Sequence, residues 1–267
     1  MNQAIGIVGC GTIGRALLRA GDEGGLGVPV AGVTSRTAST AEAFLATLKG
    51  PPPFLDLGEL VEQSSLLVET AGGHVVPSLA EAAFSAGKDL MVISIGALLE
   101  HPEIIEQARS LGCRLYAPSG AIAGLDGIKS ACQGRVDTVE MISRKPVAAL
   151  EGAPYLMENE IPVDGLTEAQ EVFNGSAREA CRGFPSNLNV SAAVSLAGIG
   201  PDLTTVRIVA DPFLERNCHD VTVEGGFGLL RVHIENIPSE NPKTGRLTAL
   251  SIIRSVRDAV DPVRIGT

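Results

Sequence analysis

The stretch Ile5-Gly6-Ile7-Val8-Gly9-Cys10-Gly11-Thr12-Ile13-Gly14 decides the fold of the first part of the chain. It joins an apolar strand to the first helix through a bend with the spacing GxGxxG. In a dinucleotide site, Gly9 would permit the tight turn, Gly11 would let the backbone approach a pyrophosphate, and Gly14 would let helix and strand pack closely. The phosphates would lie at the positive end of the helix. The alternative is a glycine turn with a purely structural role.

Short β-rich runs alternate with helical stretches as far as about Pro118, which is typical of a parallel sheet with crossover helices. The predicted strands are Ala4–Val8, Val28–Thr34, Leu66–Glu69, Leu90–Ile93 and Arg114–Tyr116, and the predicted helices lie around Ile13–Ala20, Ala41–Ala46, Val76–Ala86 and Pro102–Leu111. We therefore predict an α/β fold that begins with a Rossmann dinucleotide-binding domain over residues 1–118.

After Ala117 the pattern changes to longer strands in which polar and apolar residues alternate. These strands are Arg135–Ser143, Thr204–Val209, Asp220–Glu224 and Leu229–Asn236. One packed and one wet face favour an antiparallel sheet. Helices near Thr167–Arg182 and Val190–Ala197 are expected to cover it, and Leu247–Val260 is predicted to be a final amphipathic helix. The sequence thus predicts a second, smaller α+β domain over 119–245 and a C-terminal helix within 246–267 that packs back on the first domain.

Composition narrows the functional classes. The formal net charge of −10 opposes nonspecific binding to nucleic acid or anionic membranes, because those partners are polyanions. The cysteines form no CxxC pair, so we predict neither a metal site nor a disulfide framework; they are Cys10, Cys113, Cys132, Cys181 and Cys218. The N-terminal residues show neither a signal peptide nor a membrane span, so we expect a cytoplasmic protein.

Residues after the next strands extend the predicted nucleotide site. The second strand ends in Thr34-Ser35-Arg36-Thr37, without an acidic residue for the ribose hydroxyls. Arg36 suits the 2′-phosphate of NADP, or it is an ordinary solvated loop cation. His74, after the third strand, either contacts a ligand or is a solvated loop histidine. The predicted cofactor-binding residues of this domain are Gly9, Gly11, Thr12, Ile13, Gly14, Arg36, Ala71 and Gly72, and the expected cofactor is NADP or NAD.

Four later blocks, in this order and spacing behind the glycine motif, resemble L-aspartate dehydrogenases. They read PSGAIAGLD at 118–126, NLNV at 187–190, ADP at 210–212 with RNCHD at 216–220, and SENPKT at 239–244. The resemblance covers nearly the whole chain. It implies NAD(P)-dependent oxidative deamination of L-aspartate through iminosuccinate to oxaloacetate and ammonia, reversible as reductive amination, in a homodimer. It also implies a product that can feed pyridine nucleotide biosynthesis in some organisms.

By this resemblance, His219 matches the catalytic residue, and Ala123 and Asn189 match residues that contact the nicotinamide cofactor. From chemistry alone, an imidazole can move protons on the substrate nitrogen or on the water that hydrolyses the imine. Without the resemblance, His219 would be interpreted as a core histidine. We expect it on the apolar face of its strand, with Asp220 on the opposite face and therefore a poor candidate for orienting it. Asn189 can equally serve as a helix N-cap.

Two departures from the family pattern stand out. Lys145-Pro146-Val147 replaces a common Lys-Pro-Pro, and the acidic ribose ligand of NAD-preferring members is absent. The two substrate carboxylates require cations or helix-end amides, for which Lys145, Arg144 and Lys243 are unranked candidates. The alternatives are a related reductase, such as homoserine dehydrogenase or dihydrodipicolinate reductase, and a non-enzymatic NAD(P)-sensing module. The His-His and Lys-containing signature of dihydrodipicolinate reductase is missing.

Overall fold

The computed structural model describes residues 3–185, 188–238, 245–263 and 265–266, and the chain divides into two compact units. Unit 1 comprises Met1–Pro118 and Ala249–Arg264, and unit 2 comprises Ser119–Thr248 and Ile265–Thr267. Unit 2 is almost as long as unit 1. Within the described ranges, no helix has the length and apolar character needed to cross a membrane.

Unit 1 begins as a parallel α/β structure. Its strands are β1 (Ile5–Val8), β2 (Val30–Thr34), β3 (Leu66–Glu69), β4 (Asp89–Val92) and β5 (Leu115–Tyr116), and its helices are α1 (Thr12–Asp22), α2 (Ala38–Leu45), α3 (Leu57–Gln63), α4 (Val76–Ser85), α5 (Gly96–Glu100) and α6 (Glu103–Leu111). The strand order β2-β1-β3-β4-β5, parallel throughout, confirms the predicted Rossmann-type sheet. Strand β1 lies between β2 and β3, so the strand order reverses direction at β1. Sheets of this kind bind ligands at such a point, in the crevice at the carboxyl ends of the strands.

The central strands of unit 1 are buried along their whole length, as expected when helices cover both faces of a parallel sheet. The short helix α3 was not predicted. Its N-terminus nevertheless carries a sequence signal, because Asp56 and Glu59 form a capping box in which each side chain accepts a hydrogen bond from the other residue's backbone N–H. Helix α5 was also missed, and it is only one turn long.

Unit 2 is built on a second five-stranded sheet. Its helices are α7 (Leu125–Ala131), α8 (Pro154–Glu158), α9 (Ala177–Gly183) and α10 (Asn189–Ala197), and its strands are β6 (Val136–Pro146), β7 (Gln170–Ser176), β8 (Thr205–Asp211), β9 (Asn217–Gly225) and β10 (Gly228–Asn236), in the order β10-β9-β6-β8-β7. The β6–β8 pair is parallel, and the other junctions are antiparallel. The sheet is therefore mixed. The long connection from β6 to β8, which contains α8, α9 and α10, provides the crossover that a parallel pair needs.

The predicted helix over Thr167–Arg182 is wrong in its first half. Residues Gln170–Ser176 form the edge strand β7, which pairs with β8. Helix α9 begins only after Ser176, whose side chain forms a capping box with Glu179. Pairing with a neighbouring strand overrides the helix-forming tendency of the residues before it.

The last helix, α11 (Arg246–Val260), belongs to the core of unit 1 from Ala249 onward. Ile252 and Val256 are fully buried in the same apolar cluster as Ile5 and Ile7 of β1. Unit 1 is thus completed by a segment that is distant in sequence from its sheet.

Candidate active site

A cleft of about 420 Å³ lies in unit 1 at the carboxyl ends of β1, β2 and β3. Its lining consists of Val8, Gly9, Cys10, Gly11, Thr34, Ser35, Arg36, Thr37, Thr70, Ala71, His74 and Val75. Four of the predicted cofactor-binding residues, Gly9, Gly11, Arg36 and Ala71, are among them. Thr12, Ile13 and Gly14 continue from this bend into α1, and Gly72 follows Ala71.

The three motif glycines differ in what the protein itself requires of them. Gly9 has a φ of +108°, and a Cβ there would lie 2.7 Å from the carbonyl carbon of Thr70. A Cβ on Gly14 would collide with the carbonyl oxygen of Gly9. Gly11 is different, because a Cβ there would meet no atom within 4 Å. The protein needs no glycine at position 11 for its own packing, and the missing side chain leaves the backbone open to a ligand.

Two parts of the lining of this cleft are suited to anions. Helix α1 begins at Thr12, and its first turn contains no acidic residue, so the positive end of the helix is not neutralised locally. Arg36 is exposed, and no ion-pair partner for it occurs in the part of the chain that the structure describes. The cleft therefore offers backbone N–H groups at one point and a guanidinium at another.

A buried carboxylate, Glu69 at the end of β3, fixes the loops beside the cleft. Its Oε1 accepts hydrogen bonds from the backbone N–H groups of Ala71 at 2.8 Å and Gly72 at 2.7 Å. Its Oε2 accepts from the N–H groups of Ile93 at 3.1 Å and Ser94 at 2.9 Å. One side chain thus ties the loop after β3 to the loop after β4. Sequence analysis assigned Glu69 no role, although an acidic residue that ends a buried strand is itself a signal.

In unit 2, the packed face of β6 and β9 changes from apolar to polar along the strands. Met141 and Val221 form a cross-strand pair, and the next pair on the same face is Ser143 with His219. Ser143 and His219 are buried, with 0% and 3% of their surface exposed. One step further along the same face lie Lys145 and Asn217, also buried. The sheet therefore gathers buried polar side chains at one end, and we call Ser143, Lys145, Asn217 and His219 the polar end of unit 2.

His219 is held by a hydroxyl. Its Nδ1 lies 3.1 Å from Ser143 Oγ. Burial, followed by the positive charge of Lys145, lowers the pKa of His219 from 6.5 to about 3, so the ring is neutral at pH 7. Asp220 lies on the opposite face of β9, where its carboxylate accepts a hydrogen bond from Arg144 at 2.6 Å and lies 2.6 Å from Nδ1 of His233. The expectation that Asp220 does not orient His219 agrees with this arrangement.

The three candidate cations for the substrate carboxylates differ in their position relative to His219. Lys145 is 2% exposed and lies on the His219 face, with its Nζ 3.5 Å from Asn217 Oδ1. Burial lowers the pKa of Lys145 from 10.5 to about 8. Arg144 lies on the other face and is paired with Asp220. Lys243 falls outside the described residues, as do Asn187 and the rest of the block at 239–244.

The residues matched to cofactor contacts in unit 2 lie on a loop and a helix start. Ala123 is exposed in the loop before α7, and Asn189 is the first residue of α10, which contacts α7. The N-cap of α10 is Leu188, so the interpretation of Asn189 as an N-cap is wrong. Asn236, buried on β10, donates a hydrogen bond from Nδ2 to the carbonyl oxygen of Ala121 at 2.9 Å and so holds the Ala123 loop.

Sequence reasoning missed Ser143, Asn217 and Asn236 as contributors. Ser143 was placed at the last position of a strand that in fact continues to Pro146, so its pairing with His219 was not foreseen. The available signal was a run of alternate positions, 139, 141, 143 and 145, that turns from apolar to polar while the strand pattern continues.

Comparisons with known proteins agree with both halves of the chain. The sequence model of the family described as aspartate dehydrogenase, C-terminal, matches residues 126–259, and that of homoserine dehydrogenase, NAD binding domain, matches residues 9–118. L-aspartate dehydrogenase 3 of Bordetella bronchiseptica is 45% identical over 98% of this chain and 97% of its own length. L-aspartate dehydrogenase of Methanocella arvoryzae is 43% identical over 98% of this chain and 99% of its own length.

Solved structures give the same picture. The crystal structure of aspartate dehydrogenase from Thermotoga maritima matches with a TM-score of 0.77 and 25% identity over 100% of both chains. A homoserine dehydrogenase from Thiobacillus denitrificans matches with a TM-score of 0.59 and 16% identity, over 97% of this chain and 74% of its own, which shows a shared fold alone.

Proposed function

We propose that this chain, which belongs to the aspartate dehydrogenase family, oxidises L-aspartate to iminosuccinate with NADP or NAD and releases oxaloacetate and ammonia after hydrolysis. The reverse direction is the reductive amination of oxaloacetate. The observation that carries the proposal is the buried pair of His219 and Ser143 beside the cation of Lys145, because it joins a proton-transfer group to a binding group for an anionic substrate.

The unit 1 cleft fits a dinucleotide. The open backbone at Gly11 and the unneutralised start of α1 suit a pyrophosphate, and the exposed guanidinium of Arg36 suits a 2′-phosphate. When bound, the nicotinamide ring of such a cofactor supplies the hydride acceptor or donor for the reaction. We propose Gly9, Gly11, Thr12, Ile13, Gly14, Arg36, Ala71 and Gly72, together with Ala123 and Asn189, as the residues that bind it.

We propose His219 as the acid–base residue. Its Nε2 would take a proton from the substrate ammonium, so that the nitrogen lone pair can form the C=N bond, and would return a proton during hydrolysis of the imine. The Ser143 hydroxyl suits this task because its oxygen can accept a hydrogen bond from Nδ1–H, which is present both when Nε2 is free and when Nε2 is protonated. Nδ1 therefore keeps its hydrogen bond to Ser143 Oγ whether Nε2 is protonated or not.

A homodimer and a cytoplasmic location are further parts of the proposal. The dimer rests on family membership. The five cysteines are thiols that form no disulfide bond in the described residues, which suits a reducing compartment.

The direct test follows NADPH absorbance in the presence of oxaloacetate and ammonium. We expect oxidation of NADPH that needs both co-substrates, with L-aspartate as the amino-acid product. Oxidation with aspartate semialdehyde, and none with oxaloacetate and ammonium, would instead support the homoserine dehydrogenase alternative. If neither substrate is turned over but NADPH still binds, the sensing-module alternative gains support.

A further inference from the structure

Lys145 is a buried cation that has no anionic partner in the part of the chain that the structure describes. Its side chain is 2% exposed, and its Nζ lies 3.5 Å from the neutral amide oxygen of Asn217. No carboxylate within 4.0 Å of its Nζ occurs among residues 3–185, 188–238, 245–263 and 265–266. Burying an unpaired ammonium destabilises the folded chain, because the lost hydration is not replaced.

The neighbouring charges do not relieve this cost. Asp220 and Glu235 lie on the opposite face of the sheet, where they interact with Arg144, Arg216 and His233. Among the described residues, the buried polar groups at this end of the Lys145 face are Ser143, His219, Asn217 and Asn236, none of which is an anion at neutral pH. The register of β6 and β9 fixes this arrangement, because residues 143 and 145 share one face and residue 144 takes the other.

We propose that Lys145 is the residue that anchors a carboxylate of the substrate, and that it thereby makes the site select an anionic substrate. This inference deepens the proposed function and rests on it. An arriving carboxylate would replace the hydration that the ammonium lost on folding and form a charge-assisted hydrogen bond with it. Of the candidate cations, Lys145 is favoured over Arg144, because Lys145 lies on the same face of the sheet as His219 and Arg144 lies on the opposite face with Asp220.

The same contact links binding to the chemistry of His219. The charge of Lys145 contributes to keeping the imidazole unprotonated. Once a carboxylate neutralises that charge, the imidazole becomes a stronger base. His219 would therefore gain basicity when the anionic substrate is in place.

The test compares Lys145→Met with Arg144→Met, a matched control that removes the adjacent cation from the opposite face. We expect Lys145→Met to raise the KM for oxaloacetate by at least about 10-fold, the value of one charge-assisted hydrogen bond. We expect Arg144→Met to change it by less than about 2-fold. Neither variant should alter the Kd for NADPH. An unchanged KM in Lys145→Met would overturn the proposal.

A second measurement needs no turnover. If Lys145 serves binding at the expense of stability, Lys145→Met should raise the Tm by on the order of 2–4 °C. If Lys145 has a structural role, the same substitution should lower the Tm. Succinate, a non-reacting dicarboxylate, should raise the Tm of the wild type and of Arg144→Met above that in sodium chloride of equal ionic strength, but not that of Lys145→Met.

The KM and Tm measurements distinguish a failure of the Lys145 anchor from a failure of the proposed function. If oxaloacetate is not turned over but the succinate pattern holds, the anchor stands and the proposed substrate is wrong. If oxaloacetate is turned over and Lys145→Met retains the wild-type KM, or if succinate stabilises Lys145→Met as much as the wild type, the anchor is wrong and the proposed function stands.

Discussion

The two candidate ligand sites of this molecule differ in the groups that form them, which are backbone groups in unit 1 and side chains in unit 2. In unit 1, the cleft at the ends of β1, β2 and β3 is made largely of backbone, shaped by glycines and fixed by the buried carboxylate of Glu69. In unit 2, the polar end is made of side chains, with Ser143, Lys145, Asn217 and His219 meeting across two strands.

This difference determines which substitutions each site should tolerate. A backbone site depends on the absence of side chains and tolerates most changes that leave the loop shape intact. A side-chain site in a buried, low-dielectric setting depends on each charge and hydrogen bond, because a lost partner leaves another buried polar group unsatisfied. Substitutions at the polar end of unit 2 should therefore affect chemistry, and those in the unit 1 cleft should affect cofactor affinity.

The largest effect is expected from His219→Gln. Loss of the acid–base group should lower kcat for oxaloacetate amination by about 10²–10⁴-fold. The Kd for NADPH, measured by fluorescence titration, should stay within about 2-fold of the wild type because the glycine cleft belongs to unit 1. His233→Gln, on the exposed face of β10, is the control and should keep nearly full activity. A His219→Gln enzyme with wild-type kcat would remove the chemical role of the polar end.

The next effect is on the pH dependence of stability. The pKa of His219 is lowered from 6.5 to about 3 in the folded protein, so below pH 6.5 the unfolded chain binds a proton that the folded chain does not. Stability from this group is therefore present above pH 6.5 and is lost as the pH falls toward 3. Between pH 7 and pH 5, the wild type should lose about 2 kcal/mol more unfolding free energy than His219→Gln, as measured by urea denaturation. Equal losses in both proteins would show that the imidazole titrates freely.

A smaller effect is expected from Arg36→Ala in unit 1. Removing the guanidinium should raise the KM for NADPH by about 10-fold, the value of one charge-assisted contact to the 2′-phosphate. NADH lacks that phosphate and serves as the internal control, with a KM that stays nearly constant. If both cofactors lose affinity equally, Arg36 is a loop cation that does not discriminate between them.

The smallest effect should come from Glu69→Gln, which preserves the shape of the side chain but replaces one acceptor oxygen with an NH2 donor that faces backbone N–H donors. Loosening of the two loops beside the cleft should raise the KM for NADPH by about 5-fold, with little change in kcat or in the KM for oxaloacetate. This split identifies a positioning residue of the cofactor cleft. A fall in Tm without any change in the KM for NADPH would assign Glu69 a purely structural role.

The amino-acid sequence by itself determined the parallel sheet of unit 1 and the place of its cleft, because the alternation of strands and helices and the need for glycine at positions 9 and 14 are written in residues close together in the chain. It also singled out His219, through family resemblance. The tertiary structure decided the strand β7, the parallel β6–β8 pair and the partners of His219. Strand register, which places Ser143 opposite His219 and turns Lys145 and Arg144 to opposite faces, depends on hydrogen bonds between residues more than 70 positions apart. No local pattern in the sequence encodes such pairings.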